Sequence, residues 1–104
     1  MTSWTRICAV DEIPVLGARR VARAQGPAVA VFRTAADRVF ALLDRCPHKG
    51  GPLSQGIVHG DTVTCPLHGW KLGLADGQAV APDKGCSKPF AVKIEGGVVW
   101  LRLD

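Results

Sequence analysis

The stretch "CPHKGGPLSQGIVHGDTVTCPLHGW" runs from Cys46 to Trp70. Within it stand Cys46-x-His48 and, after sixteen intervening residues, Cys65-x-x-His68. Thiolate and neutral imidazole both bind zinc and iron well. Pro47 and Pro66 follow the two cysteines, and each proline stiffens its turn. Gly50-Gly51 and Gly69 follow the histidines and admit tight backbone. A structural zinc site usually pairs like with like, with two to four residues between the paired ligands. Here each pair is mixed, and the first has one residue between its members. That pattern suits two metals better than one: if Cys46 and Cys65 bind one iron, His48 and His68 can bind the other. A zinc-stapled binding module remains the alternative on residue chemistry alone.

The rest of the chain sets the frame. Its 104 residues are near the commonest size of one domain. A chain this long buries about 65% of its unfolded surface, enough for a core without disulfide staples. The hydrophobic share is 47%, which argues against disorder. One domain, 1–104, is the expectation. MTSWTRICAVDEI shows no basic region followed by an apolar run, and no stretch is long enough to span a bilayer. The expectation is a cytoplasmic protein with no membrane partner, whose four Cys are ligands or buried residues rather than disulfides. The net charge of +4 is scattered. Its densest piece, Arg19, Arg20 and Arg23, has no aromatics interleaved and reads as a solvated strand face, so no nucleic-acid partner is expected.

Short apolar runs separated by Gly and Pro predict strands. Trp4 to Val10 reads as the first, followed by a turn over Asp11 to Leu16, where Pro14 blocks a long helix. Ala18 to Ala24 fits a strand or one helical turn. Ala28 to Arg33 and Arg38 to Leu43 are strands joined by Thr34 to Asp37. Ile57-Val58 and Thr62 to Thr64 form a hairpin about Gly60, which delivers Cys65. Lys71 to Leu74 is a short strand ended by Asp76-Gly77. Pro89 to Glu95 and Val98 to Leu103 flank Gly96-Gly97, a hairpin signal. No sustained helical period appears. The fold class is all-β, a sandwich or barrel of about eight to ten short antiparallel strands.

The four candidate ligands with their spacing and glycines resemble the Rieske iron–sulfur signature, in which two His replace two Cys on one iron of a 2Fe–2S cluster. The resemblance implies Cys46, His48, Cys65 and His68 as ligands, and a small cluster-binding subdomain spanning about 45–88. "CPHKGGPLSQG", "CPLHGWKLGLADGQAV" and "GCSKPFAVKIEGGVVWLRL" further resemble the small subunit of assimilatory NAD(P)H nitrite reductase. That resemblance implies a partner, the large subunit carrying sirohaem and FAD. The other family sharing this fold is the Rieske ferredoxin that serves aromatic-ring oxygenases.

A cluster with two thiolates and two neutral imidazoles is formally neutral when oxidised, and it accepts an electron more readily than a four-thiolate cluster. The expected role is one-electron transfer. No G-x-G-x-x-G fingerprint and no nucleophile with a base partner is present, so no catalytic residue is assigned. High-potential Rieske proteins carry an extra Cys in each ligand loop, where this sequence has Gly51 and Leu67. They also carry hydroxyl donors where it has Trp70 and Leu72. The resemblance therefore implies a low potential.

Among the remaining residues, Cys8 reads as a small buried hydrophobe and His59 as a surface residue. Cys86 lies in Pro82 to Pro89, which resembles the third loop over a Rieske cluster. Lys49 reads equally as a docking charge or a solvated one, and Trp70 as loop packing. Trp4, Trp100, Phe32, Phe40 and Phe90 are expected to fill the core.

Overall fold

The computed structural model describes residues 4–23, 26–47, 51–66, 69–80 and 84–103. Their strands are β1 (Thr5–Ala9), β2 (Gly17–Val21), β3 (Val29–Arg33), β4 (Val39–Leu43), β5 (Ile57–His59), β6 (Thr62–Thr64), β7 (Lys71–Gly73), β8 (Pro89–Phe90), β9 (Val92–Glu95) and β10 (Val98–Leu101). Two 3-10 turns, Val10–Glu12 and Leu53–Gln55, are the only helical pieces among the described residues. The strands form three antiparallel sheets, β1-β10-β9, β2-β3-β4-β8 and β5-β6-β7. The all-β expectation holds.

Strand β3 organises the layers. Residues 29–32 are all buried, so the strand has no wet face. Val29 and Val31 enter one apolar cluster with Cys8, Ile13, Val99 and Leu101. Ala30 and Phe32 enter another with Val58, Val63 and Leu72. Side chains alternate across a strand, so the two clusters lie on opposite faces of the middle sheet. One is roofed by the sheet that joins the two ends of the chain. The other is roofed by β5-β6-β7, which carries the candidate ligand Cys65 at its exit.

The structure refines two segments of the sequence reading and corrects a third. Gly17–Val21 takes the strand alternative despite helix-favouring Ala18, Arg19 and Arg20, because its five residues pair in register with β3. Ala24 lies outside the described residues. Pro89 to Glu95 is two strands rather than one: β8 pairs with β4, and β9 pairs with β10. The apolar alternation of Phe90 and Val92 runs through the change of sheet, so periodicity gives no sign of it. The segment after β1 is a 3-10 turn whose Glu12 carboxylate accepts the Ala9 N–H at 2.9 Å. That bond is the main reason the Glu12 carboxyl is held below its usual range.

Phe32 and Phe90 are buried, but Trp4 and Trp100 do not fill the core. In β10 the inward positions belong to Val99 and Leu101, which turns Trp100 to the other face. There the Lys93 ammonium lies 4.8 Å from the Trp4 ring and 5.7 Å from the Trp100 ring. The arginines are more engaged than a solvated face requires. Arg20 pairs with Asp44, while Arg23 donates to the Pro27 carbonyl and lies over the Phe90 ring.

Two glycines separate backbone conformation from space. Gly60 turns the β5-β6 hairpin at φ +56, and a Cβ there would meet nothing within 4 Å. Gly77 has φ +70, and its Cβ would stand 1.9 Å from the Ser87 carbonyl oxygen. Gly60→Ala should therefore cost only the left-handed backbone term, roughly 1–2 kcal/mol. Gly77→Ala must also push residue 87 away, so its loss of thermal midpoint should be clearly the larger. Parallel thermal denaturation of the two variants checks this. Equal losses would contradict the close approach.

Candidate metal centre

Cys46 leaves β4 through Asp44 and Arg45, and Cys65 leaves β6 directly. Each is 2% exposed, and both belong to the cluster that contains Phe32, Leu53, Val63 and Leu72. No disulfide engages either. The backbone treats the two loops alike. The Cys46 N–H donates to the Gly51 carbonyl at 2.8 Å, and the Cys65 N–H donates to the Trp70 carbonyl at 2.7 Å. Both loops thus open at a cysteine and close five residues later, and in sequence each encloses one of the candidate histidines. Gly69 adds an N–H bond to the Cys65 carbonyl at 3.2 Å. His48, His68, Lys49 and Leu67 lie outside the described residues.

A third segment meets both loops. A Cβ on Gly85 would stand 3.1 Å from Pro47 Cβ and 3.7 Å from Trp70 Cζ3. Its carbonyl accepts the Ala79 N–H, and the Ser87 N–H donates to Gly77, which ties the segment to the chain after β7. Cys86 is exposed beside this contact. Trp70 packs against the buried cluster, as a loop-packing residue should.

The other singled-out residues stand apart. Cys8 is 1% exposed in the opposite cluster, and burial is the chief cause that pushes its thiol up from 9.0. A neutral, apolar thiol is what that position needs. His59 is exposed on the outer face of β5, where its ring nitrogens meet the hydroxyls of Thr64 at 2.9 Å and Thr62 at 3.1 Å. Sequence reasoning missed Asp44, whose side chain is 0% exposed and binds Ser54 and Arg20. Its partners lie ten and twenty-four positions away, so no local pattern marks it.

A family model for the Rieske [2Fe-2S] domain matches residues 3–92. The chain belongs to that family. Ferredoxin CarAc of Metapseudomonas resinovorans is 31% identical over 101 residues, covering 94% of this chain and 92% of the ferredoxin. The 4beta-methylsterol monooxygenase of Methylococcus capsulatus is 37% identical over 87 residues, but the match spans only 23% of that longer protein. A Mycobacterium tuberculosis structure described as an NADH-dependent nitrite reductase small subunit shares the fold, with a TM-score of 0.86 at 23% identity, over 97% of this chain and 95% of that one.

Membership makes this chain a Rieske-type electron carrier, with a 2Fe–2S cluster as its cofactor. The described residues fit that cofactor: two buried thiols stand at the heads of two matched loops, in one apolar cluster, unlinked by a disulfide. Thiolate ligation suits iron–sulfur chemistry, and family membership takes the place of the zinc alternative.

Leu72 is fully buried in the apolar cluster that holds the two thiols, and Trp70 packs on its edge. Hydrogen bonds to cluster sulfur raise the potential, and neither side chain supplies a hydroxyl for one. The midpoint potential should lie near the low end of the Rieske range, about −150 mV where the range is roughly −150 to +300 mV. Protein-film voltammetry at pH 7 checks it, and Trp70→Ser and Leu72→Tyr should each move the midpoint upward. A wild-type midpoint above about +100 mV would show that another donor governs the site.

Proposed function

We propose that the chain is a single domain, 1–104, whose residues from about 45 to 88 hold the cluster through Cys46, His48, Cys65 and His68. The observation that carries this is the matched closure of the two loops over buried cysteines, Cys46 to Gly51 and Cys65 to Trp70. Cys46→Ser, His48→Ala, Cys65→Ser and His68→Ala should each abolish or badly damage the cluster. Cys8→Ser and Cys86→Ser should keep about two irons per chain, the number in a 2Fe–2S cluster. Iron analysis with reduced-state EPR checks the set. Retention in Cys46→Ser together with loss in Cys86→Ser would reverse the assignment.

The partner we propose is the large subunit of an assimilatory NAD(P)H-dependent nitrite reductase, the subunit that would carry sirohaem and FAD. This chain would then be the cytoplasmic small subunit. Support comes from the sequence around both ligand loops and in the last third of the chain, and from the shared fold of small subunits of that kind. A second reading, a freestanding ferredoxin for an aromatic-ring oxygenase, is favoured by the end-to-end match to ferredoxins at 31–33% identity. Under either reading the isolated chain should show no NAD(P)H-dependent nitrite loss in steady-state assay. Affinity purification from native extract distinguishes them: the first expects a large sirohaem protein, the second an oxygenase or its reductase. Nitrite turnover by the chain alone would overturn both.

A further inference from the structure

The two ligand loops close alike at the cysteines but are anchored differently behind them. The second loop sits on the end of a strand pair: Thr64 of β6 pairs with Lys71 of β7, immediately outside Cys65 and Trp70. Backbone ladder bonds therefore fix both of its ends. The first loop has no such ladder. It leaves β4 at Leu43 and returns into the 3-10 turn Leu53–Gln55, and these two elements are not paired as strands.

A side chain takes the place of the ladder. Asp44 Oδ1 accepts the Ser54 N–H at 2.7 Å, and Oδ2 accepts the Ser54 hydroxyl at 2.8 Å. The same Oδ2 accepts Arg20 Nε–H at 3.0 Å. The carboxylate is 0% exposed, whereas the Arg20 side chain is 67% exposed. A buried carboxylate with three donors, one of them a guanidinium, is fixed in direction as well as in place. The Asp44 N–H meanwhile donates to the Ala28 carbonyl, which ties this point to the start of β3.

The far end of the bracket touches both cysteines' surroundings. Leu53, next to Ser54, is fully buried in the cluster that holds Cys46 and Cys65. Gly56 closes the turn so near β6 that a Cβ would stand 2.3 Å from the Thr64 carbonyl oxygen, one residue before Cys65. Movement of Ser54 would be felt at both loops.

We infer that Asp44 is a positioning residue for the cluster: its carboxylate brackets the first ligand loop, and Arg20 holds that carboxylate in register. This rests on the reading of Cys46 as a ligand. Residues behind metal ligands typically change metal retention by about 10–100-fold when removed. That is the scale expected for Asp44→Ala.

The test uses the whole chain with its cluster and follows iron release to a chelator, well below the thermal midpoint of every variant, beside reduced-state EPR. Asp44→Ala should release iron about 10–100-fold faster than wild type and shift the EPR signal. Asp44→Asn should be intermediate, because its amide oxygen still accepts the Ser54 N–H while the Arg20 bond is lost. Asp61→Asn, which removes a carboxylate from the exposed pair with Arg38, should match wild type and controls for loss of an ion pair. A folded Asp44→Ala protein with wild-type release and EPR would overturn the inference, even with a lowered thermal midpoint. Should Asp44→Ala not fold, Ser54→Ala and Arg20→Met carry the test, and wild-type behaviour in both overturns it. Cys46→Ser separates the two claims. If it keeps the cluster, the ligand reading has failed. If it loses the cluster while the Asp44 variants behave as wild type, only the bracket has failed.

Discussion

Everything in this molecule hangs on a strand, β3, that is dry on both faces. Strand β3 buries four consecutive residues, and β4 alternates Ala41 toward one core with Leu42 toward the other. A fully buried medium-sized apolar side chain contributes roughly 1.5–3 kcal/mol, so a sheet that presents apolar residues to both sides gains only when both sides are covered. The coverings are different in kind. One is the sheet in which β1 meets β10, and it joins the chain's two ends. The other is β5-β6-β7, with the two cysteine loops at its margin. The half of the chain that carries Cys46 and Cys65 therefore depends for its floor on Ala30, Phe32 and Leu42, residues that belong to the middle sheet.

That division explains how small loops can be held firmly. Neither loop has enough side-chain bulk for a core of its own. Each uses a cysteine N–H as its inner clasp, and each borrows an outer anchor from its neighbourhood. For the second loop the anchor is backbone, and for the first it is a carboxylate. A ladder is fixed by chain connectivity, whereas a side-chain bracket requires a partner across the fold. Arg20, on the edge strand β2, supplies it. Gly85 completes the arrangement by bringing a third segment against Pro47 and Trp70 with no side chain between them.

Much of this could be read from the sequence, and the limits have physical causes. The hairpins around Gly60 and Gly96-Gly97 were legible, because turn chemistry is local and both sites hold glycines at positive φ. The spacing of Cys46 and Cys65 announced the two loops for the same reason. The break at Ala91 was not legible, because Phe90 and Val92 keep one apolar rhythm while their hydrogen-bond partners change from β4 to β10. Trp100 was misread as core because size suggests burial, yet the alternation set by Val99 and Leu101 decides its side. Asp44 was invisible for a further reason. A carboxylate beside a loop is ordinarily solvated, and only the fold brings Ser54 and Arg20 to it.

The surroundings of the thiols bear on the electron's energy in two opposed ways. Exposed cations stand near the loops in sequence, Arg45, Lys71 and Lys84, and they favour the extra negative charge of reduction. Inside, Leu53, Val63, Leu72 and Phe32 are fully buried and offer that charge no solvation. The two terms are of similar size. A unit charge 4 Å away is worth about 1 kcal/mol in bulk water and about 4 kcal/mol near a protein surface, and salt screens the exposed ones. Transfer of charge toward an apolar interior costs several kcal/mol per ion even after relaxation. The apolar lining acts in the same direction as the missing hydroxyls at Trp70 and Leu72, and the exposed cations act against both. On the reading of Cys46 and Cys65 as ligands, the packing beneath them would also make an added electron costlier to hold, which would suit a carrier that must give the electron up.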